Sequence, residues 1–247
     1  MIPNFGMGTF RLSGPSLTDL VSEAIEMGYP QIDTAQFYDN EADVGKALSQ
    51  TQSDNVFVTT KVWYESLKYQ QVLDSLKTSS DKLQRDCIDL ALIHWPSPND
   101  EVPLEKTLDA LAEARERGLI KHFGVSNFTP SQMEMVGLRM DIDVNQIEFS
   151  LTQHSAMHDG TLDYIKTNGI KPMAWSPLGS VFREDNEQTR RIHKQLGELM
   201  DKYNATEDQL LLAWIMKHPS GIPPVVGTTN KTRLKQAVEA SKIDLEL

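Results

Sequence analysis

Cysteine is almost absent from this chain. Cys87 is the only one among 247 residues, which excludes an internal disulfide. Its apolar setting, Cys87-Ile88-Asp89-Leu90, predicts a buried, unreactive thiol, and a reducing cytoplasm is the expected location. Long hydrophobic runs are missing as well. No apolar stretch approaches the roughly 18 residues of a membrane span, and the opening Met1-Ile2-Pro3-Asn4-Phe5-Gly6 has neither the basic nor the apolar region of a secretory signal. Membrane insertion and secretion are therefore not expected. Positive charge is scarce: 24 Lys and Arg stand against 35 Asp and Glu, a formal net charge of −11. Such a field repels nucleic acid and anionic lipid, so a small molecule is the expected partner; separately, a monomer is the expected state. Pro-, Gly- or Ser-rich linkers are lacking too, and nothing marks a second domain. Residues 1–247, with 39% hydrophobic content, read as one domain with one sizeable core.

What is present is an alternation. Short apolar, β-branched runs at 6–9, 31–33, 56–60, 88–93, 123–125, 144–147, 171–174 and 224–226 predict eight strands. Amphipathic stretches predict helices between them at 16–27, 41–50, 70–83, 103–117, 130–138 and 161–167. Two more, at 190–203 and 206–217, precede the last strand, and one at 231–241 follows it. Thr129-Pro130 and Ala205-Thr206-Glu207-Asp208 are helix starts, while Gly28, Gly118 and Gly169 are helix stops. Eight strands joined by crossover helices fit either a closed (β/α)8 TIM barrel or an open doubly wound sheet. The strand ends favour the barrel. Asp33, Lys61, His94, Ser126 with Asn127, Gln146 with Glu148, Trp175 with Ser176, and Thr228 with Thr229 each stand at one. A barrel gathers the C-terminal strand ends on one face, where these side chains converge on one pocket.

Asp33, Tyr38, Lys61 and His94 together solve the problem of protonating an alkoxide. A free phenol is a weak donor at neutral pH, and a neighbouring ammonium favours its ionised form. Lys61 supplies the ammonium, Asp33 keeps it charged, and His94 either hydrogen-bonds the substrate oxygen or helps pass the proton to Tyr38. Each residue alone has a plainer reading as an ion pair, a packing tyrosine or a satisfied core histidine. Their joint occurrence on successive strand ends favours chemistry. Trp63 and Trp95 directly follow two of these positions in the chain, or nearly so, and are candidate apolar walls for the substrate.

These residues lie in segments that resemble the aldo-keto reductases: Asp33-Thr34-Ala35-Gln36-Phe37-Tyr38-Asp39-Asn40-Glu41, Thr59-Thr60-Lys61-Val62-Trp63, Leu92-Ile93-His94-Trp95-Pro96 and Gly124-Val125-Ser126-Asn127-Phe128, in the family's order. The resemblance implies a barrel that reduces small aldehydes, ketones or dicarbonyls with NADPH, Tyr38 acting as general acid. It further implies that Ser126, Asn127 and Gln146 hold the nicotinamide carboxamide, that Trp175 stacks on the ring, and that Ser176-Pro177-Leu178-Gly179 touches the pyrophosphate. Thr9 and Phe10 join the cofactor site with Asp33, and the segment Gly227, Thr228, Thr229, Asn230, with Arg233 and Gln236, falls where the family binds the 2′-phosphate. Arg233 in an otherwise acidic chain favours NADPH over NADH, since a guanidinium fork suits phosphate. Gly6-Met7-Gly8-Thr9-Phe10 lacks the third glycine of a dinucleotide fingerprint and so does not make a Rossmann motif.

There are departures. Trp175 stands where the family more often has tyrosine, Gly227 where a lysine is common and Ala237 where an asparagine is. The chain ends at Leu247, without the long closing loop of many relatives, and an open, broadly selective pocket is expected. The first half, notably Gly8-Thr9-Phe10-Arg11-Leu12 and 94–102, resembles the 2,5-diketo-D-gluconate reductase branch, which also takes methylglyoxal-like dicarbonyls. The second half, at 174–179 and 227–230, resembles bacterial reductases of unassigned substrate. Either a natural intermediate or a barrel recombined near 118–124 accounts for this. The rival readings are a nucleotide-binding regulatory module and a catalytically weak recombined barrel. His154, His158 and Asp159 have too few companions for a metal site, and none is expected. Met133, Met135 and Met140 are expected to pack, and Trp214 to anchor the core.

Overall fold

The computed structural model describes residues 1–98 and 101–246. Asn99, Asp100 and Leu247, the first two within the 94–102 segment noted above, lie outside the described residues. Among the described residues eight strands form: β1 (Gly6–Gly8), β2 (Gln31–Asp33), β3 (Phe57–Val62), β4 (Ile88–Ile93), β5 (Ile120–Ser126), β6 (Val144–Glu148), β7 (Lys171–Trp175) and β8 (Val225–Val226). They pair in parallel in the order β7-β6-β5-β4-β3-β2-β1-β8. A parallel bridge between Ala174 and Pro224, and donation from the Ala174 N–H to the Pro223 carbonyl at 2.8 Å, join the two ends. The sheet is therefore a closed barrel.

The helices are α1 (Gly14–Glu26), α2 (Glu41–Gln50), α3 (Tyr69–Leu83), α4 (Leu104–Glu116), α5 (Pro130–Gly137), α6 (Thr161–Thr167), α7 (Glu187–Tyr203), α8 (Glu207–Lys217) and α9 (Lys231–Ala240). Thr129 caps α5 in a reciprocal box with Gln132. Gly28, Gly118 and Gly169 follow α1, α4 and α6 with φ of +90°, +74° and +69°, the left-handed exit that a side chain resists. No helix among the described residues is long and apolar enough to cross a membrane.

Strand alternation divides the side chains. Outward-facing Ile32, Val58, Ala91, Val125 and Ile147 join the helices in the main core, and inward-facing Leu90, Leu92, Val144, Met173 and Val225 pack inside the barrel against Ile2 and Phe57. This inner apolar plug lets the next inward layer be polar: Asp33, Lys61 and Gln146 are all at or below 2% exposed.

Four expectations shift. β3 runs two residues past Thr60, so Lys61 lies within the strand, paired in register with Leu92. α7 begins at Glu187, not 190, because Asn186 accepts the Thr189 N–H at 2.9 Å and caps it. Cys87 precedes β4 and is half-buried, since the strand starts only at Ile88. Met133 and Met140 are buried, but Met135, on the outer face of α5, is 56% exposed and is not part of the core. Trp214 is half-buried and stacks on Phe149 with ring centroids 5.8 Å apart.

Candidate active site

The inward-facing rule of adjacent parallel strands brings Asp33 and Lys61 together. The Lys61 Nζ donates to Asp33 Oδ1 in a fully buried ion pair and to the Thr34 carbonyl at 3.0 Å. The second Asp33 oxygen accepts from Gln146 Nε2 at 2.7 Å, across the barrel from β6. Burial works against the Lys61 ammonium, but Asp33 and then Tyr38 more than offset it, and its pKa stands above the usual lysine value. Asp33 thus favours the charged form of this buried group.

Tyr38 is carried by a single 3-10 turn, Gln36–Tyr38, that leaves β2 and is closed by Asp39 with φ of 50°. Its ring centroid is 5.1 Å from Lys61 Nζ. Burial pushes the Tyr38 phenol up, Lys61 pulls it down and Asp33 pushes it up again, leaving it above its ordinary value. The ammonium thus offsets a burial penalty and does not by itself produce an acidic tyrosine, which corrects the simpler expectation from sequence. At Tyr29 burial acts alone and pushes the phenol up as well. A phenol of this kind stays protonated at neutral pH, and the ammonium stabilises the phenolate left when the proton departs.

His94 directly follows β4 and is 8% exposed. Burial first, and Lys61 second, lower its pKa to about 3, so the imidazole is neutral and can donate from only one nitrogen. Its ring meets Tyr38 edge-on at 5.6 Å and Trp63 at 5.2 Å. Phe37 stacks on Trp63 at 4.1 Å, and Phe10 lies 5.0 Å from Tyr38. Trp63, Trp95, Phe37 and Phe10 thus form an aromatic rim around Tyr38 and His94, and all line one cavity of about 650 Å³. Phe37, which sequence reading left without a role, belongs to it.

The expected cofactor residues Ser126, Asn127, Gln146 and Trp175 line the same cavity, as do Thr9, Asp33, Ser176, Leu178, Gly179, Gly227, Thr228 and Thr229. Ser126 donates its hydroxyl to the Gln146 carbonyl at 2.9 Å. Ser176 and Gly179 have φ of 50° and 56°, and at Gly179 a Cβ would collide with Thr152 Oγ1 and come within 2.5 Å of Ser150 Oγ. The turn after β7 therefore needs glycine there. Two cations missed by sequence reading, Arg11 and Arg183, also line the cavity. They sit in loops, where no periodicity singles them out.

Asn230, Arg233 and Gln236 do not line it. The Asn230 side chain accepts the Thr232 and Arg233 N–H groups at 2.9 and 3.2 Å and so caps α9. Arg233 is exposed, Lys231 pairs with Glu23, and the Gln236 carbonyl accepts from Gln209. Among the described residues no group of three His, Cys, Asp or Glu could hold a metal ion.

A buried ammonium, a protonated phenol and a neutral imidazole around one apolar cavity can polarise a carbonyl and protonate its oxygen. Residues 4–246 match the Aldo/keto reductase family. The chain is 38% identical to methylglyoxal reductase DkgB of Escherichia coli O157:H7 over 99% of its own length and 89% of the relative's. It is 36% identical to a glyoxal reductase of Bacillus subtilis strain 168, over 88% and 76% of the two lengths. A Bombyx mori aldo-keto reductase solved in complex with NADP superposes with a TM-score of 0.89 at 30% identity, covering 99% of this chain and 86% of that one. The chain belongs to the aldo/keto reductase family.

Proposed function

We propose that this protein reduces the carbonyl of small aldehydes, ketones and dicarbonyls to alcohols with NADPH, and that Tyr38 is the general acid. The observation that carries the reading is the placement of Tyr38 beside a Lys61 cation held by Asp33, at the base of an aromatic-rimmed cavity. The related methylglyoxal and glyoxal reductases support a dicarbonyl as substrate.

The donor set fits a phosphorylated nicotinamide cofactor. Arg11 and Arg183 line the cavity with two guanidinium groups suited to a diphosphate. Trp175 offers a flat aromatic face, and the amides of Asn127 and Gln146 stand beside it. When bound, NADPH supplies the hydride. His94, neutral, donates to the substrate oxygen, and this favours orientation over proton relay as its role. Tyr38 then gives its proton to that oxygen, and Lys61 holds the resulting phenolate while Asp33 keeps Lys61 charged. Phe37, Trp63 and Trp95 exclude water from the reacting atoms.

Tyr38→Phe keeps the ring and removes the proton. Turnover of methylglyoxal, followed as NADPH consumption, is expected to fall by about 10²- to 10⁴-fold, while NADP+ binding, followed by quenching of protein fluorescence, persists. Full activity in this variant would falsify the assignment.

A further inference from the structure

Trp175 carries a second chemistry besides its flat face. Its indole Nε1 donates to Asn127 Oδ1 at 2.9 Å. The Asn127 amide nitrogen in turn donates to the His94 carbonyl at 3.2 Å and to Ser126 Oγ at 3.0 Å. An indole N–H only donates and a peptide carbonyl only accepts, so these two ends admit one orientation of the amide. Flipped, it would set N–H against N–H at one end and oxygen against oxygen at the other. Asn127 also has φ of 63°, a left-handed conformation that asparagine adopts more readily than other side chains and that surrounding contacts support. Its own N–H, donated to the Gln146 carbonyl at 3.0 Å, is one of them.

The result is a strut that links neighbouring strand ends over β6. It starts at the last residue of β7, passes through the residue after β5 and ends on the backbone of the residue after β4. That last residue is the one in need of support. The buried His94 Nδ1 has no hydrogen-bond partner, so no polar contact at that nitrogen fixes the ring. What fixes it is the edge-on packing against Tyr38 and Trp63 and the main chain that carries it.

We propose that Trp175 is a positioning residue for His94, acting through Asn127 by its indole N–H. The proposal rests on the reductase reading only in that His94 is the group being positioned. A phenylalanine or tyrosine at 175 offers a flat face without a donor at the indole position, so tryptophan is the specific choice that completes the strut.

Trp175→Phe isolates the N–H. One neutral hydrogen bond corresponds to about a five- to tenfold effect, expected in kcat, with the NADP+ dissociation constant little changed because the aromatic face remains. In the cofactor-free protein the ring proton resonances of His94 are expected to shift, a readout independent of turnover. In an Asn127→Ala background Trp175→Phe is expected to add no further loss in kcat, since the strut is already cut. Should Asn127→Ala not fold, Asn127→Asp serves in its place, because a carboxylate still accepts from the indole but cannot donate to the His94 carbonyl. Additive losses in the double variant, or unmoved His94 resonances, overturn the proposal. Undiminished turnover in Tyr38→Phe would instead overturn the reductase reading, and the resonance measurement would still decide the strut.

Discussion

Replacing Lys61 by methionine tests the electrostatic basis of the site, because it keeps the volume and apolar stem while deleting the charge. Lys61 Nζ lies 5.1 Å from the Tyr38 ring centroid. At an effective dielectric of about 20, two unit charges at that separation interact by about 3 kcal/mol. This is about two pK units of phenolate stabilisation, or about 10²-fold in rate if the phenolate is fully developed in the transition state. Without Lys61, burial and Asp33 both push the Tyr38 phenol up, and the charge and hydrogen bond that lower it are gone. The plateau rate of methylglyoxal reduction is therefore expected to fall about 10²-fold, and the alkaline limb of the pH profile, where a deprotonated Tyr38 can no longer donate, to move to higher pH. Deleting one partner also strands the Asp33 carboxylate with only the Gln146 amide, a change that costs about 3–5 kcal/mol in stability when a buried charge is left uncompensated. Circular dichroism and NADP+ binding are needed to show that the variant is folded. A folded Lys61→Met protein with an undiminished plateau, or with an alkaline limb that stays in place, would refute the electrostatic reasoning.

Two further perturbations address stability. His94 is neutral down to about pH 3 when folded but takes a proton near its ordinary pKa of 6.5 when unfolded; between those values the unfolded state binds more protons, so stability falls as pH falls, by up to about 1.4 kcal/mol per pH unit. Denaturant titrations at acid and neutral pH are expected to show a smaller difference for His94→Gln than for the parent, and an equal difference would discount this histidine as the source. Gly179→Ala forces a side chain into a left-handed turn and against Thr152 and Ser150; we expect a lower melting temperature and weaker NADP+ binding, and a variant with both unchanged would show that the turn after β7 can relax.

The fold was legible because alternation and strand-end chemistry agreed. The repeated spacing of apolar runs implied parallel strands, and the polar residues that closed each run implied that those ends share a face. Less legible were properties that depend on three-dimensional neighbours. The extension of β3 to Val62 places a lysine inside a strand and inside a barrel, which no propensity favours and only the Asp33 carboxylate permits. The depressed basicity of His94 arises from burial and from Lys61, a residue 33 positions earlier in the chain. Arg11 and Arg183 look like loop cations until the loops are folded over the cavity. The start of α7 could have been found, since Asn186 and Thr189 have the spacing of a reciprocal cap.

What ties these together is register. Gly8 pairs with Asp33, Asp33 with Thr59, and Lys61 with Leu92, so Asp33 and Lys61, two residues apart in register on adjacent strands, both face inward, where the ammonium reaches the carboxylate. Slipping β3 by one residue would turn Lys61 outward among the helices and bring Thr60 in. It would also break the hydrogen bond from Thr60 Oγ1 to the buried Glu41 at 2.6 Å. That bond lies on the outer face of the same strand, at the residue next to Lys61. The outer face thus helps to fix the register on which the inner face depends, and stability and chemistry meet in the alternation of a single strand.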